Sequence, residues 1–180
     1  MILRKIQQLM KTRKETNDLL ILTVQKITLT TEQALQKARQ YCGYSERCHQ
    51  DVKEKLHSFG LYSIQVNEIM ASLIEDNFLN EERYAKFFAG GHFRQKKWGR
   101  QKIKYGLKQK NISAYCIKIA LKEIDEDEYK KTMQKLFDQK LKLLKTEKNV
   151  FAKKAKLQSY ILQKGYEREL IAGLLKALKK

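Results

Sequence analysis

Val52-Lys53-Glu54-Lys55-Leu56-His57-Ser58-Phe59-Gly60-Leu61 is the first copy of a template that the chain uses three times. The second is Ile103-Lys104-Tyr105-Gly106-Leu107-Lys108-Gln109-Lys110-Asn111-Ile112. The third is Leu157-Gln158-Ser159-Tyr160-Ile161-Leu162-Gln163-Lys164-Gly165-Tyr166. Gly60, Asn111 and Gly165 are the reference points. Eight residues before them stand Val52, Ile103 and Leu157, and four before them Leu56, Leu107 and Ile161. Those spacings place the aliphatic residues on one helix face. Glycine or asparagine after the last turn is a left-handed helix stop. A second apolar helical run follows each stop: Val66, Ile69, Met70 and Leu73; Ile117, Ala120, Leu121 and Ile124; Ile171, Leu174, Leu175 and Leu178. A unit of roughly fifty residues repeated in this way predicts an array or solenoid.

Working outward, each template acquires a preceding helix. Thr30-Thr31-Glu32-Gln33 reads as a helix start, with Gln33 at the capping-box position. Ala34, Leu35, Ala38 and Tyr41 mark its face, and Ser45 is the expected cap of the next helix. In the second unit Asn80 is the expected N-cap, Glu81 and Glu82 suit the positive end of the helix dipole, and Tyr84, Phe87 and Phe88 are the expected buried face. Asp125-Glu126-Asp127-Glu128 opens the third unit, followed by Tyr129, Met133, Leu136, Phe137, Leu141 and Leu144 at helical spacing. The expected fold is all-α: a tandem array of three three-helix, helix-turn-helix-like repeats, elongated and curved. Repeat 1 covers 31–77, repeat 2 covers 78–124 and repeat 3 covers 125–180. Residues 1–30 form a basic N-terminal extension, in which a β-branched stretch from Leu19 to Leu29 lets a short strand compete with helix.

Charge narrows the function. The 180 residues hold 38 basic and 20 acidic side chains, a net charge of +18. Such an excess points to a polyanionic partner. It concentrates in two strips. Residues 94–111 carry Arg94, Lys96, Lys97, Arg100, Lys102, Lys104, Lys108 and Lys110 with no acid among them. Residues 140–156 carry Lys140, Lys142, Lys145, Lys148, Lys153, Lys154 and Lys156 against Glu147 alone. Cations track phosphates without reading sequence, so a nucleic acid, single- and double-stranded DNA or RNA alike, is the expected ligand. Trp98 has two readings. It can stack on an exposed base, or it can plug the apolar joint before the second helix, which the energetics of a large aromatic favour.

Other classes find little footing. No Walker or dinucleotide glycine motif occurs, and no Ser–His or Cys–His frame is recognisable. The acidic run 123–128 reads as a helix start rather than a metal-holding cleft. Cys42, Cys48 and Cys116 match no zinc spacing and suggest no disulfide framework, which fits a reducing cytosol. No segment is apolar enough to span a membrane. The expectation is a non-enzymatic, cytoplasmic, monomeric protein with no cofactor and no metal.

The block Phe78-Leu79-Asn80-Glu81-Glu82-Arg83-Tyr84-Ala85, followed by Lys97-Trp98-Gly99-Arg100-Gln101-Lys102-Ile103 and Leu107, resembles the bacterial RecX family. So does the triplicate helix-glycine-aliphatic-helix unit, over about residues 31–178. Two features depart from the family pattern. Asn111 stands where glycine is usual, and the first unit has Ser45-Glu46-Arg47-Cys48-His49 in place of an arginine-rich opening. The resemblance implies a regulator, usually negative, that lies in the groove of the RecA–DNA filament. It would modulate RecA ATPase, strand exchange and filament growth in DNA repair, recombination and the SOS response. The competing readings are a nucleic-acid-binding helical repeat or transcription factor acting without RecA and, behind it, a metal-dependent nuclease.

Overall fold

The computed structural model describes residues 29–178. The expected basic extension and its strand-or-helix alternative lie, up to residue 28, outside the described residues. Nine α-helices and no strand make up the described part: α1 Thr31–Tyr44, α2 His49–Ser58, α3 Ser63–Glu75, α4 Glu81–Lys96, α5 Arg100–Gln109, α6 Ala114–Lys122, α7 Glu126–Leu143, α8 Val150–Lys164 and α9 Arg168–Ala177. They fall into three helix triples. Each repeated template is the middle helix of a triple.

The template residues occupy equivalent places. Val52, Ile103 and Leu157 are fully buried, as are Leu56, Leu107 and Ile161. Burying side chains of this size contributes roughly 1.5–3 kcal/mol each. The three stops are left-handed, with φ of 86° at Gly60, 55° at Asn111 and 92° at Gly165. The residue after each stop turns back into the core: Leu61, Ile112 and Tyr166 are all buried.

Caps set most helix starts. The Thr30 hydroxyl accepts from Gln33 N at 3.3 Å, and Thr30 N donates back to Gln33 Oε1 at 3.2 Å. Asn80 Oδ1 accepts from Arg83 N at 2.9 Å, and Asp125 Oδ1 from Glu128 N at 2.7 Å. Each cap satisfies one of the orphan donors of a first turn. The start of α2 differs from expectation. Ser45 ends α1, and Cys48 caps α2, its Sγ accepting from Asp51 N at 3.4 Å. The fully buried Cys48 thereby places a small apolar atom, rather than a hydroxyl, against the neighbouring triple.

Phe87 also departs from the expected buried face and is 56% exposed. The buried arc of α4 is centred on Ala85, Ala89 and Phe93, with Tyr84 at its edge. The two alanines allow α4 to lie close against α6, and helical periodicity then puts Phe87 on the opposite side.

Two apolar cores serve the three triples. The first joins Ala34, Ala38, Val52, Leu56, Val66, Ile69 and Leu73 from α1–α3 and is closed by Leu79. The second runs without a break through α4–α9, from Ala85 and Phe93 through Ile103, Leu107 and Ile117 to Tyr129, Phe137, Leu157, Ile161 and Ile171. Cys48 of the first triple is part of it.

Candidate functional site

The basic strip at 94–111 spans the end of α4, a tight connection and α5. Lys97 closes α4 in the left-handed conformation, with φ of 55°. Trp98 follows, half-buried, and its ring lies 4.4 Å from that of His92. His92 in turn stacks on Phe88 at 4.0 Å. A Cβ added at Gly106 would meet Phe88 and Trp98, so the glycine lets the aromatic row settle on α5. Lys96 and Lys102 hold their ammonium groups 5.2 and 4.8 Å from the Trp98 ring. Trp98 is thus packed within its own triple, between cations that can themselves meet an anion. Burial, with the Lys96 charge, holds the His92 imidazole below its ordinary value against the opposing effect of its bond to the Phe88 carbonyl. His92 is accordingly neutral near pH 7.

Three cations of the strip are engaged within the protein: Lys110, whose Nζ donates to Asp51 Oδ1 at 2.8 Å, Arg100 and Lys102. Arg100 Nη2 donates to Glu126 Oε2 at 2.7 Å and to the Ile124 carbonyl at 3.2 Å, and its guanidinium lies 4.2 Å from the Tyr129 ring centre. The hydrogen bond from Arg100 holds the exposed Glu126 carboxyl below its ordinary value. Lys102 Nζ donates to the Gln163 carbonyl at 3.1 Å, near the C-terminal end of α8. A cation suits that end of a helix. The acidic run 123–128 is also used internally: Glu123 pairs with Lys86 at 2.7 Å, Asp125 is a cap and Glu126 meets Arg100.

Arg94, Lys96, Lys97, Lys104 and Lys108 are exposed and have no ion-pair partner among the described residues. Arg100, Lys104 and Lys108, spaced by four, line one wall of a cleft between α5 and α6 of about 760 Å³. Ala114, Lys118 and Lys122 line the other wall, and Ile117, Leu121 and Ile124 are also at the cleft. Lys118 and Lys122 were missed in the sequence because the strip was closed at residue 111, although no acid follows before Glu123. The four-residue spacing of both walls was there to be read. Arg94 lies apart, in a smaller hollow with Glu123, Asp125 and Glu128.

The second strip lies on α7, α8 and their connection, and none of its residues lines the cleft. Lys140 sits 5.3 Å from the Tyr160 ring, beside Lys164 at 5.8 Å. Lys156 pairs with Glu147 at 2.6 Å. Lys142, Lys145 and Lys148 are exposed, and Lys153 and Lys154 are half-buried. Leu143 and Phe151, 76% and 84% exposed, flank this connection. Phe151 was not singled out in the sequence, since a lone aromatic at a helix start has no periodic signature.

Burial pushes the thiols of Cys42 and Cys48 above their ordinary value, so both are protonated and weak nucleophiles. Among the described residues no three His, Cys, Asp or Glu side chains converge as metal ligands, and no helix is long and apolar enough to cross a membrane.

The chain is similar to known proteins along most of this architecture. A family model described as RecX, second three-helix domain, matches residues 80–121, which hold α4, α5 and most of α6. The regulatory protein RecX of Clostridium tetani is 31% identical over 135 residues, covering 74% of this chain and 62% of that protein. The RecX of Clostridium perfringens strain 13 is 29% identical over 133 residues, covering 73% of this chain and 62% of its own length. The chain therefore spans less than two thirds of these relatives. The crystal structure of RecX from Lactobacillus salivarius superposes with a TM-score of 0.73 at 22% identity, over 82% of this chain and 96% of that one. The likeness of fold thus reaches well beyond the segment matched by the family model.

Proposed function

The chain belongs to the RecX family, and we propose that it restrains the RecA recombinase by lying along the RecA–DNA filament. In this reading it slows ATP turnover, strand exchange and filament growth during DNA repair, and acts in the cytoplasm as a monomer without catalysis of its own. The observation that carries the proposal is the coincidence of the matched segment, residues 80–121, with the exposed cations Lys96, Lys97, Lys104 and Lys108. Unpaired ammonium groups on a folded helical face attract phosphate and acidic protein surface alike. Arg94 adds to the field. Lys140, Lys142, Lys145, Lys153 and Lys154 offer a second contact further along the array. Arg100 and Lys102 act instead by holding the second and third triples together.

Binding to a RecA-coated single strand, compared with the same strand naked, tests the proposal. The coated strand should bind more tightly. Affinity for naked DNA should fall steeply with salt and vary little with sequence. Equal affinity for the two substrates would favour the alternative, a nucleic-acid-binding helical repeat that acts without RecA.

A further inference from the structure

The cleft between α5 and α6 has a chemistry that phosphate binding does not use. Its walls are two cationic rows: Arg100, Lys104 and Lys108 on α5, and Lys118 and Lys122 on α6. Between them lie Ile117 and Leu121, and Ala114 continues the α6 row at its N-terminal end. Ala114 is exposed and Leu121 only partly covered, so part of this apolar strip faces water. A nucleic acid backbone would meet the lysines and leave the apolar strip unmatched. A complementary ligand has an apolar ridge for the strip and carboxylates on both sides of it.

An amphipathic helix with acidic flanks has that arrangement, with apolar residues at every third or fourth position and Asp or Glu beside them. We infer that the α5–α6 cleft is a docking groove for an acidic amphipathic helix of a partner protein. Charge decides against one occupant from within the chain. The N-terminal 28 residues have apolar residues at helical spacing, but they carry Arg4, Lys5, Lys11, Arg13, Lys14 and Lys26 against Glu15 and Asp18. Two lysine rows repel such a segment. The acids nearest the cleft, Asp125 and Glu126, are occupied by the α7 cap and by Arg100 and Lys130. The inference rests on the cleft and does not require RecA to be the partner.

The test uses the full chain and three probes. One is a synthetic helix with a leucine ridge flanked by glutamates. The second is a shuffled peptide of the same composition. The third is a single-stranded oligothymidylate. The ordered peptide should bind at least about tenfold tighter than the shuffled one. Its backbone amide shift changes in NMR should centre on α5 and α6. Lys118→Gln combined with Lys122→Gln alters only exposed side chains. It should weaken the ordered peptide about tenfold while changing oligothymidylate affinity less than about threefold. Equal binding of the two peptides would reduce the cleft to plain charge and overturn the inference. So would shift changes centred elsewhere. If the double variant loses the oligonucleotide as severely as the peptide, the cleft is part of a nucleic-acid surface and the docking groove fails.

Discussion

The second triple meets its two neighbours in different ways. Toward the third triple, the start of α5 docks on the end of α8 through the backbone. Gly99 N donates to the Lys164 carbonyl at 2.8 Å, and Gln101 N to the Gly165 carbonyl at 3.0 Å. Between them Arg100 N donates to the Tyr129 hydroxyl at 2.9 Å, which donates in turn to Glu167 Oε2 at 2.7 Å. One helix end thus satisfies the other, and a continuous core lies beneath. Toward the first triple, side chains do most of the linking. Arg83 Nε reaches Glu46 at 2.6 Å, Lys110 Nζ reaches Asp51 at 2.8 Å and Asn111 Nδ2 donates to Gln50 at 2.9 Å. Among the described residues of the first triple, only Cys48 carries the larger core across. Backbone docking with shared core resists perturbation, whereas half-exposed ion pairs are weak and screened by salt. The second and third triples should therefore behave as one rigid body, and the first as its more loosely held neighbour.

Breaking the backbone joint should have the largest effect. A side chain at Gly165 must adopt a φ of 92° and would overlap Lys102, whose own Cβ and backbone lie where a new Cβ would go. Gly165→Val should lower stability by about 3 kcal/mol or more. Denaturant melts that show less than half of that loss would mean the two helix ends can separate cheaply.

Tyr129→Phe keeps the ring in the core and removes the hydroxyl shared by Arg100 N and Glu167. Leaving a partly buried amide without its acceptor should cost about 1–3 kcal/mol. An unchanged melt would place the strength of the joint in apolar packing alone.

The side-chain joint should respond less, and to pH. Burial raises the Asp51 carboxyl, but hydrogen bonds from Lys110 and Cys48 and the Lys110 charge outweigh it and hold the group below its ordinary value of 3.8. Its contribution is present above that value and is lost as pH falls through the lower folded value. The Asp51 hydrogen bond raises Lys110 above its ordinary 10.5, so that side contributes fully below 10.5 and fades above it. The pair is constant through neutral pH. Lys110→Ala should cost no more than about 1 kcal/mol. The amide protection factors of α2, measured against the intrinsic exchange rate at each pH, should fall below pH 3.8 before those of α5 do. The reverse order would exchange the roles of the two joints.

The smallest effect belongs to Asn111. It fills the left-handed stop that glycine occupies in the other two units, and its side chain spans the joint to Gln50. Asn111→Gly removes one exposed hydrogen bond while easing the backbone, so stability should change by less than about 0.5 kcal/mol. Asn111→Ala has neither compensation and should cost about 1 kcal/mol. Equal melts for these two variants would show that φ is not what limits this position.

The same contrast explains what could be read from the sequence. The helix triples, their left-handed stops and the caps at Thr30, Asn80 and Asp125 depend on residues within eight positions of one another. Local spacing carries that information. The start of α2 was misplaced because Ser45 is a better capping residue by type than Cys48, and only packing against the second triple favours the sulfur. Phe87 was misplaced because 84, 87 and 88 share a face in isolation; Ala85 and Ala89 shift that face once α6 is present. Charge in the strip 94–111 was visible, but its use was not. Arg100 finds Glu126, Lys102 finds Gln163 and Lys110 finds Asp51, and the last two partners are about sixty positions away. Distant pairings of this kind leave no periodic trace.

Separating the structural cations from the free ones also gives the most direct test of function. Replacing Lys96, Lys97, Lys104 and Lys108 by alanine removes exposed charges while sparing Arg100, Lys102 and every core residue, so the variant should fold. The measurement is inhibition of the RecA ATPase on single-stranded DNA, titrated with the wild-type chain and with this variant. The wild type should inhibit, and the variant should need about tenfold more protein or worse for the same effect. Two results would contradict this account: a folded variant as potent as the wild type, or a wild type that leaves RecA turnover unchanged.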